Sequence, residues 1–252
     1  MTATRPEASP ALWTSVPEPR PDAEIRLFCL PYAGGGSVEY AQWAALLPPS
    51  VEVVPVHLPG RERRIRERPH TGMDRLVPEL ADALEPALAR PYALFGYSMG
   101  AWVAFELARE LRRRGARPPR ALLAAAAAPP DGPRGESRHD LPDPALVAWM
   151  RRLGGSHGMP LEDERLLAVV LPRVRADLAV TDTHVHRPEP PLACPVHVYT
   201  GADDEVVPPG EARLWARQAG GVFTCRVLPG GHFFLHERRR ELLACIVNDL
   251  EV

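Results

Sequence analysis

The feature that most constrains this chain is the pentapeptide GYSMG at residues 96–100, which lies between two segments of different periodicity. Before it, residues 91–95 (PYALF) form a short apolar run bounded by proline, which is typical of a buried strand. After it, residues 101–114 (AWVAFELARELRRR) carry apolar side chains at helical spacing. Glycines two positions away on either side of Ser98 allow a sharp strand-to-helix turn without a Cβ clash. This context predicts a nucleophile elbow with Ser98 as the nucleophile; the alternative is a glycine-rich turn that carries an incidental serine.

The composition limits the classes of protein to which the chain can belong. With 252 residues, 45% of them hydrophobic and 25% charged, the chain is long enough for one α/β domain with an insertion, and global disorder is excluded. The net charge of −2 gives no indication of a nucleic-acid partner. The four cysteines are widely spaced without a C-x-x-C pair, so neither a zinc site nor a disulfide framework is predicted. Since no secretory leader and no apolar run of membrane length is visible, we expect a soluble cytoplasmic protein without a membrane partner, and a monomer.

Apolar runs alternate with amphipathic segments along most of the chain. Such alternation implies a mostly parallel sheet with helices on both faces. Residues 1–23 contain repeated proline and little periodicity, so we expect a flexible leader before a domain that spans residues 24–252. Strands are predicted at residues 25–30, 51–56, 91–95, 120–128, 195–200 and 222–228, and helices at 73–90, 101–114, 211–218 and 235–250.

The alternation breaks between residues 129 and 191, where two helices are predicted at 144–153 and 162–180 with no strand between them. A helical insertion at about 130–190 would lie over the carboxyl ends of the strands as a lid. The glycine-rich sequence GGSHG between the two helices would allow the lid to move, and a rigid cap is the alternative. Met150 and Leu153, on the first of these helices, are expected to line part of the substrate chamber.

The predicted nucleophile needs two partners, because a serine hydroxyl is weakly nucleophilic at neutral pH and requires a base held by a carboxylate. After a serine on such an elbow, the acid and then the histidine follow along the chain. His232, in the sequence PGGHFF directly after the last predicted strand, is the predicted base. Three acidic residues follow the strand before it. The G-x-x-D spacing from Gly201 favours Asp204 as the acid, with Asp203 as the main alternative.

The oxyanion that forms when a serine attacks a carbonyl needs two preorganised donors, commonly backbone N–H groups. The N–H of Met99, directly after the nucleophile, is one of them. The second is expected from the loop after the first strand, where PYAGGG occupies residues 31–36, and Ala33 is the predicted donor. The alternative for this loop, a phosphate-binding loop, lacks both the P-loop lysine and the G-x-G-x-x-G spacing. Tyr32 and Tyr97, which adjoin the predicted site in the sequence, are expected to contribute to substrate binding.

Together these residues resemble the stand-alone type II thioesterases of polyketide and nonribosomal peptide assembly lines, which have the α/β-hydrolase fold. The resemblance covers nearly the whole chain after the leader, and it implies the same catalytic triad of Ser98, Asp204 and His232. The chain departs from the family at Tyr97, where histidine is usual. The matching pieces are LPYAGG at 30–35, LPGR at 58–61, the elbow, LPRVRAD at 171–177, GADD at 201–204 and PGGHFFL at 229–235.

The resemblance also implies a substrate and a role. It implies hydrolysis of acyl thioesters on the phosphopantetheine arm of an acyl or peptidyl carrier protein, which clears stalled or wrong acyl groups and needs no metal ion or bound cofactor. A small-molecule carboxylesterase of the same fold is the alternative. Five arginines at residues 61–68 could contact an acidic carrier protein, but a solvated loop in which Glu62 and Glu67 largely cancel the charge is favoured.

Overall fold

The computed structural model describes residues 10–133, 135–154 and 161–252. Its strands are β1 (Ile25–Leu30), β2 (Val51–Pro55), β3 (Tyr92–Tyr97), β4 (Leu122–Ala125), β5 (Val196–Gly201) and β6 (Phe223–Leu228). Its helices are α1 (Pro10–Trp13), α2 (Val38–Ala41), α3 (Met73–Leu84), α4 (Met99–Arg113), α5 (Asp143–Arg152), α6 (Glu164–Asp182), α7 (Pro209–Ala212), α8 (Phe234–Glu237) and α9 (Arg239–Leu250), with 3₁₀ turns at Gln42–Ala45, Glu62–Arg64, Glu85–Ala87 and Arg213–Gln218.

The six strands form one sheet in the order β2-β1-β3-β4-β5-β6, and each neighbouring pair in it is parallel. Side chains alternate between the two faces of the sheet along each strand, and both faces are buried. On β1, Phe28 and Leu30 pack in a core with α3 and α4, whereas Leu27 and Cys29 pack in a second core with α9. The predicted parallel sheet with helices on both faces is therefore confirmed.

Helices α5 and α6 occupy the insertion that the sequence predicts as a lid. The side chain of Asp163 caps the N-terminus of α6. Its carboxylate accepts hydrogen bonds from the backbone N–H groups of Arg165 and Leu166, at 2.9 and 3.3 Å. Of the glycine-rich joint between the helices, residues 155–158 lie outside the described residues, so movement of the lid stays a prediction. The apolar sides of the two helices and Leu161, which precedes α6, form a small core of their own. Its helical members are Leu146, Val147, Met150, Leu171, Val174 and Leu178.

The prediction of a flexible leader is wrong for residues 10–23, which pack against the domain. The Trp13 ring is 3% exposed and lies 4.0 Å from the guanidinium carbon of Arg64. Arg20 donates from Nη1 to the backbone carbonyls of Leu47, Pro48 and Val51, just before and at the start of β2, at 3.0, 2.6 and 2.9 Å. Single long side chains anchor this segment, and they leave no periodic pattern in the sequence. Residues 1–9 of the predicted leader lie outside the described residues.

The prediction of a solvated arginine loop is wrong for two of its five arginines. Arg61 is 2% exposed and Arg64 is 5% exposed. Arg64 forms an ion pair with Glu67, whereas Arg61 pairs with Asp177 of the lid. A charge pattern in the sequence cannot show such a pairing, since the two residues are 116 positions apart.

No helix in the described ranges is long and apolar enough to cross a bilayer.

Candidate active site

Ser98 lies on a tight turn between β3 and α4, with φ 53° and ψ −117°, a conformation that L-residues adopt at a cost. The flanking glycines are required by close backbone approaches on both sides. A Cβ on Gly96 would lie 2.1 Å from the carbonyl oxygen of Gly100, and a Cβ on Gly100 would lie 2.3 Å from that of Leu30. The Ser98 N–H donates to the Ala125 carbonyl of β4 at 2.8 Å, which fixes the turn to the next strand.

The structure brings Ser98 together with His232 and Asp204, and we call these three residues the elbow triad. His232 Nε2 lies 3.2 Å from Ser98 Oγ, and its Nδ1 lies 2.9 and 3.1 Å from the two carboxylate oxygens of Asp204. His232 and Asp204 are 6% and 3% exposed. The alternative acid, Asp203, is exposed on the neighbouring turn, where its N–H donates to the carbonyl of Gly230. The histidine therefore bridges the serine and one of the two candidate acids.

The backbone around Asp204 holds its carboxylate toward the histidine. The N–H groups of Val206 and Val207 donate to Asp204 Oδ1 at 2.8 and 3.0 Å. These donors come from the loop that follows β5, so the carboxylate is oriented by the same turn that carries it. An ionised acid in this position can orient the imidazole and stabilise its positive charge.

Tyr97 and Tyr32 pack beneath the loop that carries His232 and are not among the residues that line the cavity described below, so their contribution to substrate binding stays a prediction. The fully buried Tyr97 donates its hydroxyl to the carbonyl of His232 at 2.5 Å. Tyr32 packs edge-on against Tyr97 and Phe233, with ring centroids 6.0 and 5.3 Å apart. Burial raises the pKa of Tyr32 to about 12, so its phenol is neutral at physiological pH. These rings support the loop that presents the base.

The two residues predicted to supply the oxyanion donors lie on the wall of one cavity with the serine. Ala33 lies in a turn closed by a hydrogen bond from the Gly35 N–H to the Tyr32 carbonyl, at 2.9 Å, with Gly34 at φ 79° as a type II turn requires. Met99 is the first residue of α4, where backbone N–H groups have no partner within the helix. Both residues line one cavity together with Ser98 and His232.

That cavity has a volume of about 590 Å³ and extends from the elbow to the lid. Leu153 of the lid lies on its wall, whereas Met150, 6% exposed, packs in the core of the lid and does not line it. Contact of the two residues with the substrate stays a prediction, and of the two Leu153 is the one on the cavity wall. The walls also include Trp149, Leu178 and Trp102.

The Thioesterase domain family profile matches residues 25–250. The chain belongs to the thioesterase family. Among its relatives, linear gramicidin dehydrogenase LgrE of Brevibacillus parabrevis is 37% identical over 96% of this chain and 94% of that one. Thioesterase PikA5 of Streptomyces venezuelae is 37% identical over 96% of this chain and 86% of that one.

A solved structure agrees with these sequence comparisons. The type II thioesterase BorB from the borrelidin biosynthetic cluster is 40% identical, with a TM-score of 0.86 over 95% of this chain and 98% of that one. The resemblance to type II thioesterases and the predicted α/β-hydrolase fold are both confirmed.

Sequence reasoning missed several wall residues of this thioesterase. Trp102 follows Ser98 by four positions, so it lies one helical turn beyond the elbow on the same side of α4. That spacing could have identified it. Arg138 and Asp182 also line the cavity, and the backbone N–H of Arg138 donates to Asp182 Oδ2 at 2.7 Å. This contact joins a loop to the end of α6, and no local pattern in the sequence predicts it.

One group of three side chains in the described part of the chain could hold a metal ion. It consists of Glu106, His184 and His186, whose ligand atoms lie within 4.8 Å of one another. Arg109 already lies in this group, since its Nη1 donates to Glu106 Oε1 at 2.7 Å and is 3.4 Å from His186 Nδ1. Burial and the charge of Arg109 lower the pKa of His186. A metal ion would have to displace the guanidinium, so the contacts favour an ion-pair network at this place.

Proposed function

We propose that this thioesterase hydrolyses acyl thioesters by a serine mechanism in which Ser98 is the nucleophile. The observation that carries the proposal is the position of His232, within hydrogen-bonding distance of both Ser98 Oγ and the Asp204 carboxylate. This arrangement lets the imidazole take the hydroxyl proton while the carboxylate stabilises the imidazolium. Nucleophile, base and acid all come from the chain itself, so the proposed chemistry requires no metal ion or bound cofactor.

The reaction proceeds in two halves. Ser98 Oγ attacks the thioester carbonyl as His232 accepts its proton, and the N–H groups of Met99 and Ala33 stabilise the oxyanion. The C–S bond then breaks, the thiol leaves with a proton from His232, and an acyl-enzyme remains on Ser98. Water attacks this ester with the histidine again as base, which releases the carboxylic acid and restores the serine.

The proposed substrate is an acyl group on the phosphopantetheine arm of an acyl or peptidyl carrier protein. Support comes from the similar type II thioesterase of the borrelidin cluster, from two relatives whose names contain gramicidin, and from thioesterase PikA5. The proposed role is removal of stalled or aberrant acyl groups from a polyketide or nonribosomal peptide assembly line. Dehydrogenase activity, which one relative's name states, is not proposed for this chain, because the elbow triad is suited to acyl transfer.

A comparison of matched substrates tests this proposal against the alternative, a small-molecule carboxylesterase. We expect acyl groups on a carrier protein to be hydrolysed with a higher kcat/KM than the same acyl groups in simple oxygen esters. The Ser98→Ala variant is the control for hydrolysis that does not depend on the site. Faster turnover of the oxygen esters would contradict the proposal and favour the carboxylesterase.

A further inference from the structure

A buried ion pair joins the lid to the loop after β2, and both partners contact the loop that carries Ala33. Arg61, in the loop after β2, and Asp177, on α6, are each 2% exposed. Arg61 Nη2 lies 2.5 Å from Asp177 Oδ1, and Nη1 lies 2.9 Å from Oδ2. Such a bidentate pair fixes the relative orientation of both side chains. It therefore ties α6 to the loop after β2 at one defined place.

The same two side chains also hold the backbone of the turn at Ala33. The Gly34 N–H donates to Asp177 Oδ2 at 2.7 Å, and Arg61 Nη1 donates to the Gly35 carbonyl at 2.9 Å. The hydrogen bond that closes this turn uses the N–H of Gly35 and leaves that of Gly34 for another acceptor. Asp177 is that acceptor, so a side chain of the lid sets the tilt of the turn.

We propose that Arg61 and Asp177 are positioning residues that hold the Ala33 N–H at the oxyanion site. This rests on the proposed function, in which Ala33 donates to the oxyanion. The Ala33 N–H is one peptide unit from the Gly34 N–H, so a change in the tilt of the turn moves both. A donor acts on the charge that develops in the transition state, so its displacement lowers kcat more than it weakens substrate binding.

The Asp177→Asn variant tests the inference. Asparagine keeps the size of the side chain and one oxygen for the Gly34 N–H, but it breaks the bidentate pair. Loss of one whole oxyanion donor costs about 10²–10³ in kcat, so we expect displacement of the Ala33 N–H to lower kcat by about 10- to 100-fold. The KM for a short acyl thioester should stay within about twofold of the wild-type value. The rate constant for labelling Ser98 with a fluorophosphonate should fall similarly, because the phosphoryl oxygen occupies the same site.

Two further variants separate positioning from stability. Asp249→Asn breaks another ion pair, in which Arg226 Nε lies 2.9 Å from Asp249 Oδ2 between β6 and α9; it should lower stability and leave kcat unchanged. The double variant Arg61→Met, Asp177→Leu should recover stability by apolar packing, as buried ion pairs often permit, yet keep a low kcat because Gly34 loses its acceptor.

The inference is overturned if Asp177→Asn keeps wild-type kcat and labelling rate, or if the double variant regains both along with its stability. A wild-type protein that labels at Ser98 but hydrolyses no thioester would contradict the proposed function instead. In that case the labelling rates of the variants would still decide whether the ion pair positions Ala33.

Discussion

In two hydrogen-bonded chains among the described residues, a histidine contacts a serine through Nε2 and a carboxylate through Nδ1, but the serines and the carboxylates have different surroundings. Beside the elbow triad there is an N-terminal triad, made of Ser15, His57 and Glu62. Ser15 Oγ lies 2.9 Å from His57 Nε2, and His57 Nδ1 lies 3.2 Å from Glu62 Oε2. The corresponding distances in the elbow triad are 3.2 and 2.9 Å. Distances among the three side chains therefore do not separate a catalytic arrangement from a structural one.

The backbone at the serine separates them. The elbow serine has a positive φ and precedes the first N–H groups of a helix, on the wall of the cavity. Ser15 instead follows Thr14, which forms an antiparallel bridge with Val56, and its own N–H donates to the Pro55 carbonyl at 3.2 Å. Neither Ser15 nor His57 lines the cavity on whose wall Ser98 and His232 lie. A nucleophile needs preorganised donors and room for a substrate, and the described contacts provide these at the elbow.

The carboxylates differ as well. Glu62 accepts hydrogen bonds from the Ser37 N–H and hydroxyl, at 2.8 and 2.5 Å, and from the Val38 N–H at 3.2 Å. Burial raises the pKa of Glu62, but hydrogen bonds from His57, Ser37 and Val38 outweigh it and lower the pKa to about 2. The N-terminal triad thus joins the N-terminal segment to the loop after β1. The comparison supports a stabilising role for this triad and the proposed catalytic role for the elbow triad.

Replacing each serine gives the largest expected contrast. Ser98→Ala should lower kcat by on the order of 10⁴-fold or more, because the covalent nucleophile is lost. Ser15→Ala should leave kcat within about twofold, since its hydroxyl makes a structural hydrogen bond. Steady-state hydrolysis of one acyl thioester by both variants checks this. Activity of a few per cent or more in Ser98→Ala would remove that serine from the mechanism.

The acids should rank in the same way. Asp204→Asn can favour the wrong imidazole tautomer, an effect of about 10⁴ in kcat in another serine hydrolase. Asp203→Asn removes an exposed charge and Glu62→Gln weakens the N-terminal triad, so both should keep kcat within about twofold. Measured kcat values for the three variants decide the order. A larger loss at Asp203 than at Asp204 would move the acid of the elbow triad.

The side chains on the cavity wall should determine which lengths of acyl chain the elbow triad hydrolyses. Leu153→Trp narrows the lid side, so we expect kcat/KM for long acyl chains to fall about tenfold relative to short ones, within the range usual for apolar pockets. Leu46→Trp, at a residue 45% exposed and away from this cavity, is the matched control. Acyl-length profiles of the two variants test the idea. Equal losses for all chain lengths in Leu153→Trp would indicate general damage.

The smallest expected effect concerns the N-terminal triad and pH. The pKa of Glu62 is lowered on folding, so the stability that it contributes is complete above its ordinary value of 4.5 and is lost as the pH falls towards about 2. We expect the urea midpoint of the wild type to fall more steeply than that of Glu62→Gln between pH 5 and pH 3. Parallel pH profiles would contradict a structural role for the Glu62 charge.

The elbow triad could be predicted from the sequence because each of its residues follows a strand. Parallel strands place their carboxyl ends at one edge of a sheet, so Ser98, Asp204 and His232 are brought together once the alternation of strands and helices is recognised. The pairing of Arg61 with Asp177 could not be predicted in this way. It depends on how α6 lies over the loop of Ala33, which is a matter of packing between distant segments.

Local ambiguities account for the remaining differences. The alanine-rich run predicted as a strand at 120–128 is paired at Leu122–Ala125. Because alanine has a high helix propensity and is depleted in strands, the composition of this run does not mark the ends of the strand. The closing helix predicted at 235–250 is divided into α8 and α9 at Arg238. The short helix α2 was not predicted, because its four residues are too few to show a periodicity.

The most direct test of this account is to label the protein with a fluorophosphonate, map the labelled peptide by mass spectrometry and measure hydrolysis of an acyl-carrier thioester in the same samples. We predict one label per molecule, on Ser98, with hydrolysis lost in proportion to labelling. Label on Ser15, or full label on Ser98 with hydrolysis intact, would contradict the claim that the elbow triad is the catalytic one.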